Sequence, residues 1–366
     1  MSRLSTMFCH GVFACSIALI GIAPFSVTSR AGTFDDPRLA QLAREVHNKG
    51  WVLYSGRTGT GDWEVFVMRP NGSSRRNITN TPDSNEMLAG ISADGRRILY
   101  RRTSKTSKMS SVLWGTLGEL VIANSDGSNP VVFGKDGEFP WPTWSPDGKQ
   151  IACVTKGGIE IWDVATKSLV RKLDRKGIYQ QLVWSPDGKW FTGPANHQGE
   201  RWTVIRLNAV TGEVNRVSKF TSCTADWFPN SEHLIFSSRP VNQEEADGGR
   251  LSQAVGQKPG YGWTQLWMSD AEGKSNKLVY GEDGRHIYGG TISPDGKYVL
   301  FTRSPIDEMG MNRLGAPISL MRLRDAPVIA GESLALRKLH PDAHSGLVLT
   351  LPEGWEPCWT FAQIVK

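Results

Sequence analysis

Four histidines, His197, His286, His340 and His344, are the side chains most able to do chemistry in this chain. Converging with a carboxylate such as Asp307 or Asp342, three of them could ligate a divalent metal or act as a proton acceptor. Their spacing proves neither: Pro341 breaks the helical pattern that a zinc motif of the form His340…His344 would need. Nucleophilic chemistry has less support, since the chain contains no Gly-x-Ser-x-Gly elbow. A second constellation suits binding. Trp141, Tyr179, Tyr261 and Trp263 with Arg303 and Asp307 combine aromatic faces and charge, as recognition of a sugar, a peptide or a protein edge requires. Trp114, Trp355, Arg313 and Glu308 belong to the same loops.

The elements that position these residues follow from a repeat. Trp144-Ser145-Pro146-Asp147-Gly148-Lys149 returns forty residues later as Trp184-Ser185-Pro186-Asp187-Gly188-Lys189. Pro presets φ, Asp tolerates a strained position, and Gly takes positive φ, so the block is a hairpin turn between an apolar strand end and a new apolar strand. Degenerate copies centre on Ser92, Phe228, Ser293 and Thr360, at spacings of 53, 40, 43, 65 and 67. A unit near forty residues with four short strands predicts a β-propeller. The full unit divides into strands ending at Trp144, then 151–154, 159–162 and 168–173. The sixth copy lacks three strands and the start of the chain lacks an anchor, so the expected fold is an all-β, six-bladed propeller of four-stranded antiparallel blades. Pairing of N- and C-terminal strands closes it. Trp144, Trp184, Trp227 and Trp359 are expected to fill the space between blades.

Antiparallel strands place the insertions 103–117, 237–263, 302–317 and 326–355 on one face, where long loops usually carry binding residues. His197, His286, His340 and His344 are assigned to that face. Residues 35–47, with an Asp cap, Pro37 and Leu39, Leu42, Ala43 and Val46 at helical spacing, predict a short N-terminal helix that packs on the propeller wall or plugs an opening.

Arg3, an apolar run over 11–25 and Ser29-Arg30-Ala31 predict a signal peptide over 1–31, with an N-terminal extension over 32–50 and the propeller over 51–366. The apolar run is shorter than the ~20 residues that span a bilayer. Removing Arg3 and Arg30 leaves 40 basic and 36 acidic side chains, a balance of +4. The one dense basic cluster, Arg96, Arg97, Arg101, Arg102, Lys105 and Lys108, reads as a solvated strand end and loop, so no nucleic-acid partner is expected. Cys153, Cys223 and Cys358 form no disulfide framework and read as small buried hydrophobes.

The Trp-Ser-Pro-Asp-Gly-Lys anchors, the apolar strand after each and the Asp/Asn-Gly turns resemble the propeller repeat of the TolB family over residues 50–366. The resemblance implies a periplasmic or secreted propeller, here without the α/β domain that precedes it in TolB. The repeat also resembles propellers of prolyl-oligopeptidase-type peptidases, whose hydrolase domain is lacking here, and of the oligogalacturonate lyase group, which uses central histidines with a metal. The expected function is an exported, monomeric binding scaffold for a protein or glycan, needing no cofactor. The alternative is a metal-assisted polysaccharide lyase using the four histidines.

Overall fold

In the computed structural model the described residues are 36–110, 113–218, 221–239, 264–282, 285–305, 316–326, 329–330 and 347–364. The proposed signal segment lies outside them. Local turn chemistry builds the ring. At Ser145 the hydroxyl donates to Asp147 Oδ1 at 2.6 Å, that same oxygen accepts the Lys149 N–H at 3.0 Å, and the Gly148 N–H closes on the Ser145 carbonyl at 2.9 Å. Gly148 sits at φ 67°, where a Cβ would be strained. The same pattern holds at Ser92, Ser185 and Ser293.

Each turn joins antiparallel strands. β1 (Trp51–Arg57), β2 (Trp63–Met68) and β3 (Arg76–Asn77) begin the chain's strand order. A four-stranded sheet follows, made of β4 (Ser84–Ile91), β5 (Arg97–Ser104), β6 (Glu119–Asn124) and β7 (Val131–Gly134). The next has β8 (Thr143–Trp144), β9 (Gln150–Thr155), β10 (Gly158–Asp163) and β11 (Leu169–Leu173). The third has β12 (Val183–Trp184), β13 (Trp190–His197), β14 (Glu200–Asn208) and β15 (Val214–Arg216). A five-stranded sheet contains β16 (Thr221–Trp227), β17 (His233–Arg239), β18 (Gln265–Asp270) and β19 (Asn276–Tyr280), with β23 (Ile329–Ala330) added at its edge. The remaining strands are β20 (Arg285–Ile292), β21 (Tyr298–Pro305), β22 (Ala316–Arg322) and β24 (Val348–Thr360).

The expected six separate blades require correction. The described strands gather into four sheets of four or five strands and one seven-stranded sheet, in the order β20-β21-β22-β24-β1-β2-β3. The cause is β24, whose 13 residues run unbroken. Leu349 lies opposite Leu320 of β22, while Trp359 lies opposite Val52 of β1. A single strand thus does the work of two, and the excursion expected over 326–355 ends inside it. The all-β propeller of antiparallel blades stands, with one short helix among the described residues.

That helix, α1 (Pro37–Val46), is capped by Asp36, whose side chain accepts the Arg38 N–H at 2.8 Å. It packs on the wall: Leu42, Ala43 and Val46 are buried against Val52, Tyr54, Leu300, Leu320 and Leu349 of the seven-stranded sheet. Glu45 accepts two bonds from Arg322, at 2.6 and 3.0 Å, which hold its carboxyl below the usual range.

The anchor tryptophans sit between sheets. Trp144 packs on Leu99 of the preceding sheet and lies 4.7 Å from the Arg97 guanidinium, and Trp227 Nε1 donates to the Val183 carbonyl at 3.1 Å. Cys153 is buried, whereas Cys223 and Cys358 are half-buried.

The basic cluster is also corrected. Arg101 is fully buried and donates to four backbone carbonyls, those of Gly115 and Gly118 at 2.8 Å, Glu138 at 2.6 Å and Phe139 at 2.5 Å. Arg102 pairs with Glu86 and Lys105 with Asp62. Strand β5 turns these cations inward or onto buried acids, so the run is only partly a solvated edge.

Candidate binding channel

A cavity of about 640 Å³ is lined by the inner segments of all five sheets. Its wall has a repeating position. Trp141, Gln181, Thr224, Gly289 and Glu356 each stand four residues ahead of the turn positions 145, 185, 228, 293 and 360, and all five line the cavity. At four of them the backbone is left-handed: φ is 49° at Trp141, 40° at Thr224, 67° at Gly289 and 51° at Glu356. Register shifts between Cys223 and Ala225, between Tyr288 and Thr291, and in the β1–β24 pairing show three of these positions to be β-bulges. A bulge inserts a residue and re-aims its side chain, and the left-handed backbone costs ~1–3 kcal/mol per non-glycine residue. Strain repeated around one cavity is a feature to explain by use.

Neighbouring bonds fix the wall. Gln181 Nε2 donates to the carbonyls of Ala89 and Pro142, at 2.6 and 3.0 Å. Thr224 Oγ1 accepts the Gly289 N–H at 3.2 Å, and Thr291 Oγ1 donates to the Pro357 carbonyl at 2.9 Å. Trp141 is held by its N–H to the Gly115 carbonyl at 2.8 Å, with its ring so close that a Cβ on Gly115 would fall 2.1 Å from it. Arg101, through the same carbonyl, props Trp141 from behind.

Of the three carboxyls that line this channel, Asp94 is held below its usual range by the Ser92 hydroxyl, whereas the other two are raised. Asp226 accepts the N–H groups of Trp227 at 2.8 Å and Ile292 at 3.1 Å, and burial pushes it up to about 6. Glu356 is pushed up to about 7 by burial alone. Among the described residues neither is in an ion pair. Cys358 stands close to both: burial first, then the charges of Glu356 and Asp226, push its thiol up to about 12. The channel can therefore neutralise a cation brought from outside, and its thiol is a poor nucleophile.

The sequence candidates are distributed as follows. Trp141 lines the channel. Tyr179 stacks on Trp202 at 4.6 Å and 16°, and its hydroxyl bonds Asn196. Trp202, which sequence reading passed over, is held at φ 51°. Arg303 is committed to its sheet: Nη1 pairs with Glu282 at 3.0 Å, Nε donates to Ser319 Oγ at 2.9 Å and Nη2 to Thr350 Oγ1 at 2.8 Å. Tyr261, Trp263, Asp307, Glu308, Arg313, His340, Asp342 and His344 lie outside the described residues.

The histidines that are described do not converge. His286 is buried in β20, its Nδ1 2.9 Å from Thr264 Oγ1 and its ring stacked on Tyr288. His197 is in β13 of another sheet; burial, then Arg175 and Arg216, lower its pKa. Among the described residues no three His, Cys, Asp or Glu side chains gather to hold a metal ion. Of the four histidines that the lyase alternative would use, the two described ones, His197 and His286, stand in different sheets. Asp226 and Glu356 escaped sequence reading because lone acids carry no motif. Their only signal was distance from the turn.

No protein-family model matches the chain. A 112-residue stretch is 29% identical to the Tol-Pal system protein TolB of Francisella tularensis subsp. holarctica, strains OSU18 and LVS, covering 29% of this chain. The chain spans about a quarter (26%) of the length of these curated relatives. Among solved structures, TolB from Acinetobacter baumannii gives a TM-score of 0.58 at 15% identity, covering 86% of this chain and 67% of that one. Putative TolB from Agrobacterium tumefaciens gives 0.53 at 18%, covering 83% and 91%. An oligogalacturonate lyase in complex with manganese gives 0.46 at 11%, covering 81% and 78%, too distant to bear on function. At these identities the likeness is one of fold, and the fold is that of a TolB-like β-propeller.

Proposed function

We propose that this protein is an exported binding scaffold of the cell envelope whose channel receives a cation-bearing segment of a partner protein. The observation that carries this reading is the channel wall. Glu356 and Asp226 face a cavity of about 640 Å³ without a described cation, and Glu356 is held there by a left-handed bulge. Lysine or arginine entering the channel supplies the missing charge, and Trp141 and Gln181 supply an aromatic face and an amide beside it. Periplasmic or secreted location is supported by the order of residues 3–31 and by the likeness to TolB. No helix among the described residues is long and apolar enough to cross a membrane.

A glycan is the second reading, favoured by the stacked pair Tyr179 and Trp202. The test uses labelled twelve-residue peptides, lysine- and arginine-bearing against acidic, read by fluorescence anisotropy. Cationic peptides bind, and Glu356→Gln weakens them about tenfold, the loss of one charge-assisted bond. Equal binding of acidic peptides, or cationic binding indifferent to both Glu356→Gln and Asp226→Asn, refutes the channel as the site.

A further inference from the structure

We infer that Glu86, buried beside Glu64, carries a proton in the closed state, and that losing it loosens the crossover 77–83, so that this seam between two sheets is a pH-sensitive latch. Glu64 on β2 and Glu86 on β4 are almost wholly buried, at 1% and 0% exposure. The crossover bonds both. The Thr81 N–H donates to Glu64 Oε1 at 2.6 Å, the Thr81 hydroxyl donates to Glu86 Oε1, and the Thr79 hydroxyl donates to Glu64 Oε2. Because one threonine touches both carboxyls, the two acids are near neighbours.

The surroundings cannot neutralise two negative charges. Arg102 of β5 reaches Glu86 Oε1 at 3.0 Å through Nε and turns Nη2 to the Tyr100 hydroxyl at 3.0 Å. On its other side Arg102 lies opposite Glu119 of β6, a further acid. The next cation, Lys105, pairs with Asp62 at 3.1 Å. Glu86 Oε2 is buried with no hydrogen-bond partner, so a negative charge on it would go unsolvated. With one cation and a second buried acid beside it, the Glu86 carboxyl ionises only at a cost. Burial, with the charge of Glu64 adding to it, moves Glu86 up to about 7.

Deprotonation leaves an uncompensated charge under Thr79 and Thr81. The crossover then gains by opening to water. Opening releases the proton, so its equilibrium constant rises about tenfold per pH unit between the ordinary carboxyl range and the point at which Glu86 titrates in the closed state, and levels off above it.

The test is hydrogen exchange of the peptide covering 77–86, corrected for intrinsic rates, from pH 5 to 8.5, together with infrared difference spectra. The wild-type protein shows the rise and plateau, and a protonated-carboxyl carbonyl stretch at pH 6 that vanishes in Glu86→Gln. Glu86→Gln and Glu64→Gln, each removing one charge, flatten the exchange profile. A wild-type profile retained in Glu86→Gln, or no carbonyl stretch lost with Glu86, overturns the latch. Full pH dependence retained in Glu64→Gln overturns the part given to the charge of Glu64. Where Glu86→Gln fails to fold, the exchange profile of Glu64→Gln decides the matter, because Asp226 and Glu356 also give a protonated-carboxyl band in the wild-type protein.

Discussion

Replacing Glu356 by glutamine should make the protein more stable above neutral pH and leave it unchanged in acid. In the folded protein the carboxyl is raised from 4.5 to about 7 by burial. Between these values the native state keeps its proton while the unfolded chain has lost it. Native stability therefore falls as pH rises through this window, and falls no further above it. At about 1.4 kcal/mol per pH unit the ceiling is about 3 kcal/mol. Water in the channel reaches part of this half-buried side chain and lowers the figure to about 1–2 kcal/mol. Glutamine cannot ionise and escapes the whole loss.

Urea denaturation at pH 4.5 and at pH 8 reads the difference. The midpoints should coincide in acid and separate at pH 8, with the variant higher by roughly 0.5 M at an m-value of a few kcal/mol per M. Asp226, raised to about 6, contributes its own decline in both proteins and cancels in the comparison. If the two proteins lose stability in parallel up to pH 8, the Glu356 carboxyl is fully hydrated and the argument for an uncompensated acid in the channel fails.

Gly115→Ala should destabilise by about 1–3 kcal/mol and alter the near-ultraviolet signal of Trp141, because the added methyl meets its ring at 2.1 Å; an unchanged melting temperature counts against that packing. Arg101→Met should cost about 3–5 kcal/mol in chemical denaturation, since four carbonyls lose their donor at once, and a loss under 1 kcal/mol would show that water replaces the guanidinium. Glu45→Ala should cost about 1 kcal/mol and raise exchange across α1, whose charged contact with Arg322 it removes; equal exchange in both proteins would mean that Leu42 and Val46 hold the helix alone.

What was legible in the sequence was local. Ser-Pro-Asp-Gly encodes its turn through bonds within five residues, so Ser145, Ser185 and Ser293 could be read one at a time and the strands β8 to β11 placed almost to the residue. What was lost depends on neighbours distant in the chain. Arg101 resembled its exposed companions because the four carbonyls that satisfy it come from segments 14 to 38 residues away. His286 was placed on the loop-rich face, yet it is buried within β20, opposite Ser304 of β21. The continuity of β24 was hidden because residues up to 355 were counted to an insertion, whereas Pro352 and Gly354 lie within an unbroken strand. Glu356 became visible only once the bulges aligned it with Trp141 and Thr224 on a common wall.

The shared strand β24 also sets a timetable. Trp51 pairs with Thr360, partners 360 minus 51, or 309, residues apart. The four-stranded sheets can zip from contacts within their own repeats, but this pairing waits for residues 355–360. Until then β1 and β22 each present a bare edge, so the nascent molecule is most open to misassociation at the two places where the finished one is most tightly clasped.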